Sequence, residues 1–117
     1  MTLFDDREGA FEAKFAHDED RRLIGLARGN RLFGFWAAEQ LGLELDERES
    51  YAQDVMRFGL AEQDEQAVLW RVVDDLRRGQ RNVTDGEATR TFLAMQVKAR
   101  EQMRIEELTT PEFQPQL

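Results

Sequence analysis

Cysteine is absent from this 117-residue sequence, histidine and serine each occur once, proline twice and tyrosine once. Without cysteine there is no disulfide, no thiolate nucleophile and no Cys-based zinc site. A lone histidine, His17, leaves no multi-histidine metal site. A lone serine, Ser50, has no partner from which to build a hydrolytic triad. Neither G-x-x-x-x-G-K nor G-x-G-x-x-G occurs, so the common phosphate-cradling loops are missing. Basic residues are outnumbered as well: 16 Lys and Arg face 24 Asp and Glu, a net charge of -8. That balance argues against a nucleic-acid partner, whose backbone is held by clustered cations. The longest apolar-rich stretch, LFGFWAAEQLGL, is interrupted by Glu39 and is too short to span a bilayer. The opening MTLFDDREGAF begins acidic where an export signal needs a basic and then an apolar run. These readings predict a cytoplasmic protein with no direct membrane insertion.

Helical periodicity fills the space these absences leave. With few prolines, 34% charged residues and few β-branched runs, the composition favours helix over sheet. A first helix is predicted from Asp18, whose neighbours Glu19 and Asp20 suit the positive end of a helix dipole, to Leu41. Gly42 provides a left-handed stop. At about 23 residues and 1.5 Å rise per residue it would run roughly 35 Å and form the central pillar. A second helix opens at Asp46, with Glu49 placed as in a capping box, and carries Tyr51, Val55, Met56 and Leu60 on its apolar side. A third spans about Glu62 to Arg78, with Leu69, Val72, Val73 and Leu76 at i, i+3, i+4, i+7 and Gly79 beyond. A fourth begins at Thr84, which with Glu87 makes a T-x-x-E box, and runs to about Leu108. Trp36 and Trp70, at helical spacing, are expected in the core. The expected fold is all-α: a four-helix bundle over residues 18–108, a mobile, partly helical N-terminal arm at 1–17, and a flexible C-terminal tail at 109–117. No internal repeat calls for a second domain, and the free chain is expected to be a monomer.

The arm draws attention because its charge and its aromatics are both concentrated. Residues 1–20 hold seven acids against Arg7 and Lys14, a net of -5, which leaves -3 for the other 97 residues. Phe4, Phe11 and Phe15 fall along one side of a helix drawn through the same segment. Burying three phenylalanines returns less than ordering some 15 backbone residues costs unless further contacts form, and Gly9 lowers helix propensity further. Such a segment takes its shape from a partner, or lies weakly along its own bundle.

FDDREGAFEAKFAHDED, followed by ARGNRLFGFWAAEQLGL, resembles the zeta subunit of alphaproteobacterial F-type ATP synthases, a small inhibitor of the catalytic head. The match is close over about residues 4–43 and looser at YAQDVMRFGLAE. The resemblance implies an N-terminal region that enters an interface between catalytic subunits and stops rotation in the hydrolytic direction, without chemistry of its own. The α, β and γ subunits of that head would be its partners. It would sit in the cytoplasm, peripheral on the inner face of the plasma membrane through the ATP synthase. Carried over, it places Phe4, Asp5, Asp6, Arg7, Phe11, Lys14 and Phe15 in the inhibitory contact, the aromatics as anchors and the charges setting register and encounter rate.

Two alternatives remain open from the residues. Arg21, Arg22, Arg28 and Arg31 give the first helix a basic stretch able to hold a nucleotide phosphate, which would make the chain a sensor that binds ADP or ATP weakly or a structural helical subunit of the same complex. An enzyme would need an abnormal Glu39 or Glu12, and the sequence supplies neither with a partner. No cofactor and no metal are expected.

Overall fold

The computed structural model describes residues 3–62 and 64–109, with backbone only at 3–8 and at 11. The expected tail, apart from Thr109, lies outside the described residues. The described chain forms four helices, α1 (Leu3–Gln40), α2 (Leu45–Ala61), α3 (Ala67–Arg78) and α4 (Asp85–Thr109), and among the described residues there is no strand. This is the expected all-α four-helix bundle. α1 is the pillar: it packs chiefly on α2 and α4, touches α3 as well, and α3 closes against both α2 and α4.

The core sits around the C-terminal half of α1. Phe33 and Val55, Val68 and Val72 are fully buried, and Ala37, Leu69, Leu76, Ala88 and Phe92 join them. Phe33 is the hub, stacked on Trp36 at 5.6 Å between centroids and meeting Phe92 edge-on at 5.2 Å, both favourable aromatic geometries. Small residues let the helices approach. A Cβ on Gly34 would come within 2.9 Å of the Ala52 Cα, and one on Gly29 within 2.5 Å of Gln96 Oε1. The second approach accompanies a buried polar contact that the apolar pattern conceals: Gln96 Nε2 donates to Asn30 Oδ1 at 3.1 Å, tying α4 to α1 inside the bundle.

The helix ends show where local chemistry prevailed and where it did not. Gly42, at φ +75°, ends α1 as expected. Its N–H reaches the Glu39 carbonyl at 3.0 Å and the Leu43 N–H reaches Ala38 at 3.1 Å, the paired bonds of a Schellman stop. α3 closes in the same way, with Gln80 N–H on Arg77 and Arg81 N–H on Leu76, both at 2.9 Å. There the left-handed residue is Gln80 at φ 57° and not the expected Gly79, which has an ordinary φ of -79°. Gly79 is small for another reason, because a Cβ there would lie 2.8 Å from Leu41 Cδ2.

Several expected starts move. α2 begins one residue before Asp46, with Glu44 at its N-cap and no side-chain cap bond; Asp46 Oδ1 instead accepts from the adjacent Glu47 N–H, so the box with Glu49 does not form. α3 starts at Ala67, because the Asp64 carboxylate and carbonyl turn the chain by accepting from Gln66 and Ala67 N–H. At α4 the Thr84 half of the expected box forms, Glu87 N–H donating to Oγ1 at 3.1 Å. Trp70 is half exposed and Leu60 more than half, so neither belongs to the core. Glu39 is exposed, which removes the apolar surroundings an abnormal acid would need.

The largest correction concerns α1. It does not begin at Asp18: the helix is continuous from Leu3, and Asp18–Asp20 lie inside it. The expected cost counted the backbone ordering of some 15 residues one by one and took no account of the helix they adjoin. As the N-terminal extension of an existing helix the segment needs propagation only, and the unfavourable nucleus is already formed.

Candidate interaction site

Two regions hold the residues singled out in the sequence. The first is the N-terminal part of α1. Every described side chain from residue 9 to residue 18 is exposed, and the first buried position of the helix is Gly25. Gly9 has nothing within 4 Å of where a Cβ would be. The segment therefore stands clear of the bundle and does not lie along it. Phe15 keeps 68% of its surface in water, and Lys14 beside it is exposed. Phe4, Asp5, Asp6, Arg7 and Phe11 have their backbones in the same helix, while their side chains lie outside the described residues. Phe11 and Phe15, four apart on a continuous helix, share one face.

The second region is the arginine stretch farther along α1, and each of its four members meets a carboxylate. Arg21 reaches Glu107 at 2.7 Å and Arg28 reaches Glu106 at 3.0 Å, both on α4. Arg22 holds Glu19 at 2.9 Å and Glu65 of the α2–α3 connection at 3.1 Å. Arg31 grips Glu49 of α2 at 2.7 Å and lies 4.7 Å from the Phe35 ring centroid. Two of these carboxyls have lowered pKa values. Glu19 is held down by Arg22, and Glu49 by Arg31 first and then by Gln53. These arginines brace α1 against its neighbours.

A cleft of about 490 Å³ between α1 and α4 is lined by Arg21 and Arg22 on one side and Arg100 and Arg104 on the other, with Met103 and Leu26 among its apolar contributors. Arg104 is itself bonded to Glu101 at 2.7 Å, and Arg21 Nε is buried without a hydrogen-bond partner. The sequence reading found the α1 arginines but not Arg100 and Arg104. Their i, i+4 spacing was the available signal, and nothing in the sequence alone says that this face of α4 meets residues 21–26.

Among the described residues no three of His, Cys, Asp and Glu gather where they could hold a metal ion, and no helix is long and apolar enough to cross a membrane. What the geometry defines, among the described residues, is an all-helical bundle with an exposed helical segment bearing Phe15 projecting from it. Residues 1–102 match the family of the ATPase inhibitor subunit zeta, and the chain belongs to that family. No curated protein and no solved structure matches it.

Proposed function

We propose that the chain inhibits ATP hydrolysis by the catalytic head of an F-type ATP synthase, with residues 1–17 entering an interface between catalytic subunits and blocking rotation. The observation that carries this reading beyond family membership is the unburied N-terminal part of α1, where every described side chain from 9 to 18 is exposed. Phe4, Phe11 and Phe15 anchor the segment in apolar pockets, and Asp5, Asp6, Arg7 and Lys14 fix its register. Residues 18–108 act as the holder and 109–117 as a trailing tail. Because the inserted segment is continuous with the pillar helix, a load applied to the arm passes along hydrogen-bonded backbone into the packed core. The α, β and γ subunits are the partners, and the chain sits with them on the cytoplasmic face of the membrane.

The deciding experiment is an ATP hydrolysis assay on the cognate catalytic head with the full chain and with a chain lacking residues 1–17. The full chain inhibits; the truncated one does not, while its helical signal per residue and melting midpoint stay close to those of the parent. Full inhibition by the truncated chain overturns the proposal.

A second reading, nucleotide sensing at the arginine-lined cleft, draws on Arg21 Nε and its neighbours. ADP or ATP entering there would have to displace carboxylates already bonded to Arg21, Arg22 and Arg104. Amide shifts confined to residues 21–31 and 100–104 on titration would support it.

A further inference from the structure

On the side of α1 adjoining the start of α3, a groove of about 320 Å³ opens between α1, the end of α2, the α2–α3 connection and α4. Four large apolar side chains from three helices crowd its mouth and stay in water: Leu23 at 42% exposure, Leu60 at 57%, Leu93 at 57% and Val97 at 56%. Val68 and Phe92 reach it from the core, and the Asn30–Gln96 hydrogen bond lies in its wall. Scattered exposed leucines are ordinary on a protein surface, whereas apolar groups converging on one concavity mark a contact site.

The charge around the mouth selects the occupant. Glu62, Asp64 and Glu65 line it against the single base Arg100. Glu65 is shared with Arg22, whereas Glu62 and Asp64 are exposed and neither is ion-paired with a basic side chain among the described residues. An acidic visitor is repelled here, which excludes the chain's own residues 1–20 at net -5. A second copy brings a net -8 of its own to an acid-rimmed face. The walls are helices, and among the described residues no strand edge is available to pair with an extended peptide, so the recognition mode that remains is a helix laid in a groove.

We propose that this groove docks an amphipathic helix of a partner protein whose apolar face is flanked by lysine or arginine. The apolar side chains of the visitor cover Leu23, Leu60, Leu93 and Val97, and its basic flank meets Glu62 and Asp64. The contact is separate from the N-terminal segment and gives the bundle a binding face of its own.

The test uses the isotope-labelled full chain and three probes: a synthetic amphipathic helical peptide with Leu at i, i+4 and i+7 and Lys on its flanks, the same peptide with Glu for Lys, and a peptide of residues 1–17 of this chain. The Lys peptide is expected to shift amides around Leu23, Leu60, Leu93 and Val97, and to bind about tenfold or more tightly than the Glu peptide, in keeping with complementary rim charge. Leu93→Asp, at an exposed position that leaves the fold intact by circular dichroism, abolishes those shifts. The double variant Glu62→Gln, Asp64→Asn keeps the turn acceptor at residue 64 and removes the preference for Lys over Glu. The proposal is overturned if the Lys peptide shifts only the acidic residues 5–20, if the Glu peptide or the 1–17 peptide binds equally well, if no localised shift appears, or if sedimentation shows self-association covering the groove.

Discussion

Gln80 and Gly79 show how far a single position can depart from its residue type. A glycine after a run of basic residues reads as a left-handed helix stop, yet at the end of α3 the left-handed residue is Gln80. A side chain in that conformation costs roughly 1 kcal/mol that glycine avoids. A Cβ on Gly79 would instead crowd the end of the Leu41 side chain, at 2.8 Å from Cδ2. The two substitutions therefore have opposite signs. Gln80→Gly should stabilise the fold by about 0.5–1 kcal/mol. Gly79→Ala should destabilise it by about 1–2 kcal/mol through overpacking against Leu41. Denaturant midpoints of the two variants against the parent check both, and a destabilising Gln80→Gly would mean that its side chain makes a compensating contact. Asn30 and Gln96 belong to the same scale. Each is a polar residue on a face otherwise read as apolar or solvated, and what buries them is the meeting of two helices 66 residues apart in sequence. No local pattern announces such a pair.

At the scale of the element, helix number and order were legible because the apolar stripes repeat over about two turns or more, as in Leu69, Val72, Val73 and Leu76 of α3, all buried. Stops with the right backbone, such as Gly42, were legible too. Starts were less so. Acidic residues before an apolar stripe read as caps, and Asp18, Asp46 and Glu62 all attracted that reading, yet only the tertiary setting decides whether the helix has already begun. Trp70 was misplaced because aromatic size reads as burial, although its position on α3 faces outward. Of the candidate site, the charge and phenylalanines of the N-terminal segment could be seen in the sequence and the cleft could not, since it takes two helices to make one.

The arginine struts between elements give a pH dependence that can be worked out in sign. Glu49 is depressed below the ordinary carboxylate range by the hydrogen bond from Arg31, with Gln53 adding to it. A folded-state pKa lower than the unfolded one contributes stability that is fully present above the unfolded value, about 4.3, and is lost as pH falls through the lower, folded value. The difference in melting midpoint between the parent and Glu49→Gln should be constant from neutral pH down to about pH 5 and close below it. Added salt should narrow it as well, because the pair is partly exposed and screened. A gap that persists unchanged at low pH would assign the effect of the substitution to packing of α2 and not to the ion pair.

For the whole molecule the decisive asymmetry is that of charge and shape together. The first 20 residues carry a net -5 of the total -8, and from Leu3 onward they form the end of α1 that precedes its first buried position, Gly25. Charge displaced from the centre of mass acts at the leading end during approach, and a charge of that sign is drawn to a basic surface. Under the proposed insertion, affinity would rest on buried phenylalanines, whose contacts are little affected by salt. The two phases separate kinetically. Raising ionic strength from about 0.02 to 0.15 M shortens the screening length to about 8 Å and should slow association with the catalytic head by about tenfold or more, while dissociation changes by less than about twofold. Phe15→Ala should reverse the pattern, leaving the salt-dependent association rate in place and accelerating release. Stopped-flow inhibition of ATP hydrolysis at several salt concentrations reads both rates. An association rate indifferent to salt would mean that the segment meets an electrically neutral entrance, and that its acids serve solubility in the free chain and not encounter.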